Sequence, residues 1–352
     1  MKKVISRIFL LLGCAIGVCF IALIVKTGML IAKGAVNDNG FFVAMVTDGG
    51  GINDQSFQES AWKGLQKFSK NTGAKVGYVE CQQASDYGVN FDKLADENAN
   101  LMWGIGYKLA DPVELASKIN PELNYAIADY SFGENAPSNV TSVTFRAEES
   151  SFLVGYIAGM TTKTNQVGFI GGMRGLVIDQ FEYGYKAGVA YAAKELGKNI
   201  SVKVQYAESF SDSAKGKAIA MKMFDECDVI FHAAGGAGVG VIEAAKEKGT
   251  YAIGADMDQS FLAPKNVLTS AVKDVGKAVE MISTRLANGE NIGGSNYSYG
   301  IKEGCVGIPE ENPNVSENVL KAVRKIENKI KEGSITPPHN PSTYEEFINK
   351  IN

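Results

Sequence analysis

Short apolar runs rich in β-branched residues alternate with amphipathic helical runs along most of this chain, and they do so in two successive series. A run such as Phe41–Thr47 (FFVAMVT) shows no polar alternation. Both of its faces must therefore be covered, as in a parallel strand flanked by helices. The run that follows, Gln58–Thr72, sets Trp62, Leu65 and Phe68 on one helical stripe. Further strands are expected at Ala74–Glu80, Leu101–Gly106, Asn124–Asp129 and Val140–Phe145, with helices between the first four. Asp111-Pro112 reads as an N-cap followed by proline at the first helical position.

A helix at Glu148–Thr161 opens the second series. It predicts strands at Gln166–Ile170, Ser201–Tyr206, Val229–Ala234, Tyr251–Gly254 and Val267–Val272, with helices between them and a further helix at Val275–Ala287. Asn296–Gly307 has the pattern of a hairpin, and Ser316–Glu332 that of a final helix. Two such series in 352 residues imply an α/β chain of two doubly wound parallel-sheet domains. The expected division is 1–35 as an export or anchor segment and 41–147 plus about 270–310 as an N-terminal lobe. Residues 148–269 form a C-terminal lobe, and 311–352 a C-terminal helix and tail.

In doubly wound sheets, ligands bind outside the carboxyl ends of the strands. The first strand runs into Asp48-Gly49-Gly50-Gly51-Ile52-Asn53-Asp54-Gln55-Ser56-Phe57, where glycines permit close backbone approach and Asp48, Asn53 and Asp54 supply polar groups. Asp54 equally suits a helix cap, but that leaves Phe57 unexplained in a polar loop. Asp129 ends another strand, and Phe210 stands at a strand-to-helix turn. Gly235 opens the glycine-rich run 235–240, Asp256 follows Gly254, and Lys273 ends a strand with a cation. The 235–240 run lacks the Lys-Ser/Thr ending of a phosphate loop. Carboxylates that accept from paired hydroxyls suit a sugar, and two aromatic rings suit a flat heterocycle. A cleft with this many acids disfavours a phosphorylated ligand.

Charge narrows the partners. The first 35 residues hold five of the 35 basic residues and no acid, which leaves 30 basic against 39 acidic residues downstream. An acidic body without a basic cluster argues against a nucleic-acid partner. Lys2, Lys3 and Arg7 precede the uncharged run Ile8–Val25, which reads as an export signal. Within it, Leu11-Leu12-Gly13-Cys14 resembles a bacterial lipobox, making Cys14 the expected lipidation site. An uncleaved signal anchor and cleavage near Ala35 remain alternatives, and each places the body outside the cytoplasm. Cys81, Cys227 and Cys305 are widely spaced and read as buried free thiols, so neither a metal nor a cofactor is expected.

The motifs VTDGGGINDQSFQESAWKGLQ (46–66), AIADYSF (126–132), EESSFLVGYIAGM (148–160) and VGFIGGMRGLVIDQFEYGYKAGV (167–189) resemble those of the basic membrane protein family. So do ESFSDSAKGKAIA (208–220), AAGGAGVGVIEAA (233–245), IGADMDQ (253–259) and LTSAVKDVGKAV (268–279). These are lipoproteins of the purine nucleoside receptor type. The resemblance spans about residues 41–310. It implies two lobes joined by a hinge, as in type I periplasmic binding proteins, a monomer at the outer face of the cell membrane, and delivery of nucleosides to an ABC permease. Carried onto this chain, it implies that Phe57 and Phe210 sandwich the base. Asp129 and Asp256 would then bind ribose or base-edge groups, with Lys273, Asp48, Asn53 and Asp54 completing the polar ring and Gly235 offering backbone. Where the family often has SFNQ, this chain has Ser56-Phe57-Gln58-Glu59. A nucleoside-processing enzyme and a ligand-sensing surface lipoprotein without a transporter are the alternatives; against the enzyme, neither His lies in a motif and no metal-binding Asp cluster is present.

Overall fold

The computed structural model describes residues 30–31 and 40–351. The export segment and Cys14 lie outside the described residues. Strands β1 (Leu30–Ile31), β2 (Phe42–Thr47), β3 (Lys75–Val79), β4 (Leu101–Ile105), β5 (Asn124–Ala128) and β6 (Val140–Phe145) belong to a first sheet. Strands β7 (Gln166–Gly171), β8 (Ser201–Tyr206), β9 (Val229–Ala233), β10 (Tyr251–Asp256) and β11 (Val267–Lys273) belong to a second. Two late strands divide between them: β12 (Asn296–Tyr299) pairs with β6, and β13 (Val306–Gly307) with β11. The sheet orders are β1-β3-β2-β4-β5-β6-β12 and β13-β11-β10-β9-β7-β8. All pairings among β2 to β12 are parallel.

Helices cover both sheets, which is why the central strands read as apolar runs, whereas the edge strand β8 (SVKVQY) does not. The first lobe carries α1 (Phe57–Thr72), α2 (Asp86–Asp96) and α3 (Ala110–Ile119). The second carries α4 (Ala147–Thr161), α5 (Leu176–Leu196), α6 (Ser213–Met223) and α7 (Ala237–Lys248). The expected Trp62, Leu65 and Phe68 stripe of α1 is buried, and α1 packs on α8 (Val275–Ala287) through Gly64 and Gly276. A Cβ on Gly64 would lie 2.1 Å from the Gly276 carbonyl oxygen, so only glycine allows these helices to meet so closely.

The chain therefore crosses between the sheets near Arg146, near Asp274 and over residues 300–305. Arg146 ties the first crossing to the third, with Nε 2.7 Å from Glu149 Oε1 and Nη2 2.6 Å from Glu303 Oε2. Strand β11 pairs with β10, so the return expected at about residue 270 begins after Lys273. The expected hairpin at Asn296–Gly307 is not one, because its two halves join different sheets. Their local pattern is that of strands, but only the hinge decides which sheet receives each.

Asp111 lies inside the first turn of α3 and does not cap it: the helix starts at Ala110 behind the 3-10 turn Tyr107–Leu109. The segment expected as a tail forms two helices, α9 (Glu317–Lys331) and α10 (Pro341–Ile351). They lie on α4 and α5, where Phe347 meets the Phe152 ring edge-on at 5.6 Å. Cys81, Cys227 and Cys305 are free and buried, and burial raises each thiol to about 11.

Candidate functional site

The carboxyl ends of both sheets face a shared cleft that encloses about 70 Å³ of free space between the lobes. From the first lobe, Asp48, Asp54, Phe57 and Asp129 line it. From the second come Phe210, Gly235, Asp256 and Lys273. Eight of the nine expected residues thus converge. Asn53 does not: it is exposed and absent from the lining.

Local geometry fixes how each group is presented. Asp54 accepts from the backbone N–H groups of Ser56, Gln58 and Glu59 at 2.9–3.0 Å, so it is a cap as well as a wall of the cleft. That cap sets the first turn of α1, where Phe57 begins. Burial pushes the Asp54 carboxyl up to about 6, against the pull of those three N–H groups. Asp129 and Asp256 stand at the ends of β5 and β10 with φ of 64° and 66°. This left-handed backbone is costly for a residue with a Cβ and concentrates at functional sites. Gln55 and Glu208, in the neighbouring strand-end loops, share it.

Lys273 is the electrostatic centre. It is 2% exposed, with Nζ 2.7 Å from Asp129 Oδ2 and 3.7 Å from Asp256 Oδ1. The ammonium also lies 4.4 Å from the Phe57 ring centroid. Ser56 Oγ donates to Asp256 Oδ2. Burial still raises the Asp256 carboxyl, because one ammonium is shared between two acids. Phe210 stacks over Gly172, where a Cβ would lie 2.2 Å from the ring, and Lys108 Nζ sits 5.2 Å from its centroid.

Residues that the strand-end rule did not reach also line the cleft. Tyr107, Val177, Ile178 and Phe181 make its apolar wall. Gln58 is the most informative of the added residues. Its Nε2 donates to Asp48 Oδ1 at 2.8 Å and to the Ile105 carbonyl at 3.0 Å. Both partners are acceptors, so the amide orientation is fixed and Oε1 is left buried without a partner. The chain departs from the family's SFNQ pattern at this position. Burial raises the Asp48 carboxyl, with Lys108 opposing.

Residues 41–340 match the family described as ABC transporter substrate-binding protein PnrA-like. The chain belongs to that family. Among its relatives, the CD4+ T-cell-stimulating antigen of Listeria monocytogenes is 41% identical over 86% of this chain and 89% of its own length. Basic membrane protein A of Borreliella burgdorferi is 38% identical over 91% of this chain and 94% of its own. The ABC transporter nucleoside-binding protein BmpA of Lactococcus lactis is 39% identical over 84% and 88%.

The crystal structure of a solute-binding protein of an ABC transporter system from Aeropyrum pernix matches with a TM-score of 0.79 at 24% identity, over 88% of this chain and 97% of that one. The lac repressor dimer matches with a TM-score of 0.53 at 13% identity, over 81% and 96%. These structural likenesses establish a type I periplasmic binding protein fold. As a member of the PnrA-like family the chain is a substrate-binding protein of the ABC transporter class and not an enzyme.

Proposed function

We propose that the cleft captures a nucleoside, with a purine base, and that closure of the two lobes presents it to an ABC permease. The observation that carries this reading is the pairing of Phe57 and Phe210, from opposite lobes, with the Asp129–Lys273–Asp256 group in one cleft. Rings suit a base, and carboxylates suit ribose hydroxyls. The unpartnered Gln58 Oε1 adds a fixed acceptor for a ligand N–H. The printed name of the Lactococcus relative supports the same ligand class. Calorimetric titration with adenosine, guanosine, inosine, guanosine monophosphate and free ribose tests it. The nucleosides are expected to bind tightest, ribose weakly, and the monophosphate poorly beside four acids. Ribose binding as tightly as the nucleosides would reject the nucleoside assignment.

We further propose that the protein acts as a monomer at the outer face of the cell membrane, held there by a lipid on Cys14. Cys14→Ser is expected to abolish incorporation of a fatty-acid probe and to leave an unprocessed precursor. Continued labelling of that variant would remove Cys14 as the anchor.

A further inference from the structure

Beside the ligand cleft, but outside its lining, a second set of polar contacts joins the two lobes without any ligand atom. Gln259 lies in the loop after β10, in the second lobe, and is fully buried. Its Nε2 donates to the Gln55 carbonyl oxygen at 2.8 Å, across the lobe boundary. Its Oε1 accepts from the Ala255 N–H at 3.0 Å and faces His232 Nε2 at 2.9 Å. The amide cannot be turned round. A flip would set its NH₂ against the Ala255 N–H and its oxygen against the Gln55 oxygen. The imidazole must therefore donate through Nε2, which fixes its tautomer and leaves Nδ1 without a partner.

The surroundings are shaped to hold these two side chains. A Cβ on Gly238 would lie 2.0 Å from His232 Nδ1, and a Cβ on Gly254 would lie 2.6 Å from Gln259 Oε1. The Gln259 backbone N–H donates to Ser270 Oγ at 3.1 Å. Gln55, the recipient, has φ of 56°, which holds its peptide in the left-handed region at the mouth of α1. Burial lowers His232 to about 4, so it stays a neutral imidazole.

We infer that His232 and Gln259 form a latch that stabilises the closed arrangement of the lobes independently of ligand, His232 acting as the positioning residue and Gln259 as the grip on Gln55. When the lobes part, the Gln55 bond breaks, while the Ala255 and His232 bonds, which lie within one lobe, persist. Only the closed state gains, so the latch raises the resting fraction of closed protein. It thereby scales apparent affinity without touching the ligand. A solute released to a transporter must be held firmly but not irreversibly, and a protein–protein bond outside the cleft adjusts that hold separately from ligand choice.

The decisive variant is Gln259→Glu. Once ionised at high pH it keeps the acceptor for Ala255 and His232 but sets a carboxylate oxygen against the Gln55 carbonyl, so it breaks only the bond between lobes. Protonated, it donates to Gln55 as glutamine does, so the variant is read in the pH range where the carboxyl is ionised. Full-length processed protein would be spin-labelled at Val89→Cys and Lys222→Cys, exposed sites on opposite lobes. In the absence of ligand, the variant's inter-lobe distance distribution should shift toward the open state. Release of inosine should quicken by about tenfold, with the association rate changed much less.

His232→Leu removes the donor to Gln259 and should show the same two effects more weakly. His232→Gln retains an N–H at that reach and should restore both. This pair carries the test if Gln259→Glu does not fold. A folded Gln259→Glu with unchanged distances and unchanged inosine release would overturn the latch, as would a His232→Leu protein that His232→Gln does not improve. The inference rests on the cleft being the ligand site and not on the ligand being a nucleoside. If inosine does not bind even the wild type, the nucleoside reading fails while the ligand-free distances still decide the latch.

Discussion

Lys273→Met is expected to weaken ligand binding by about two to three decades and to hold the protein open. The side chain is of similar length, but the charge is gone, and with it the contact of the ammonium with the Phe57 ring. In the closed protein Lys273 bridges lobes: it extends from β11 of the second sheet, and its 2.7 Å partner Asp129 ends a strand of the first. Asp256, 3.7 Å away, shares the same ammonium. Without it, closure brings two buried carboxylates together with no counter-charge. Breaking such a buried arrangement costs about 3–5 kcal/mol, far more than an exposed ion pair contributes.

The variant should relieve that cost by taking up a proton, most readily on the Asp256 carboxyl that burial already raises. The closed state then binds a proton that the open state does not, so affinity should rise as pH falls. Titration at two pH values, in buffers of different ionisation enthalpy, reads both the affinity and the proton uptake. Small-angle scattering with and without ligand reads the closure. A variant that binds and compacts like the wild type would show that Lys273 is packing and not a bridge.

Sequence periodicity located most of this architecture because the covered strands are largely apolar and the helices between them amphipathic. Val140–Phe145, Ser201–Tyr206 and Val275–Ala287 coincide with their expected bounds. It failed where a decision belonged to the whole fold. Asn296–Tyr299 and Val306–Gly307 have the pattern of paired strands, yet they pair with partners far away in the chain and in different sheets. No local pattern encodes that. The C-terminal helix Pro341–Ile351 was missed because its anchor, Phe347, finds its apolar partner only after α4 and α5 have packed.

At the site, strand-end position and residue type were enough for Phe57, Asp129, Phe210 and Asp256. They misplaced Asn53, since the cap made by Asp54 turns that part of the loop outward. Phe181 escaped because it reaches the cleft from the body of α5 and not from a strand end. Gln58 was seen only as a departure from SFNQ; its role as a pinned acceptor depends on Ile105 and Asp48 arriving beside it.

Removing either cleft ring should separate a receptor for nucleosides from a receptor for sugars. At roughly 1–3 kcal/mol per stacked base face, Phe57→Ala and Phe210→Ala should each weaken nucleoside binding by about one to two decades. Free ribose forfeits both stacks already, so its weak binding should change little in either variant. The rings differ from their neighbour Phe181, which lines the same cleft but is only 2% exposed and packs in the second lobe's core. Phe57 and Phe210 are only partly buried, at the edge of that core, and each has a cation near its ring.

Truncating a buried phenylalanine costs about 3–5 kcal/mol of stability, so Phe181→Ala should lower the apo melting temperature well beyond the two cleft variants. Apo melting of all three proteins, paired with titration by inosine and by ribose, supplies both axes. Large loss of nucleoside affinity at nearly unchanged apo stability identifies stacking. If Phe57→Ala or Phe210→Ala instead melts as early as Phe181→Ala, that ring is core. If either binds inosine as tightly as the wild type, the base does not lie between them.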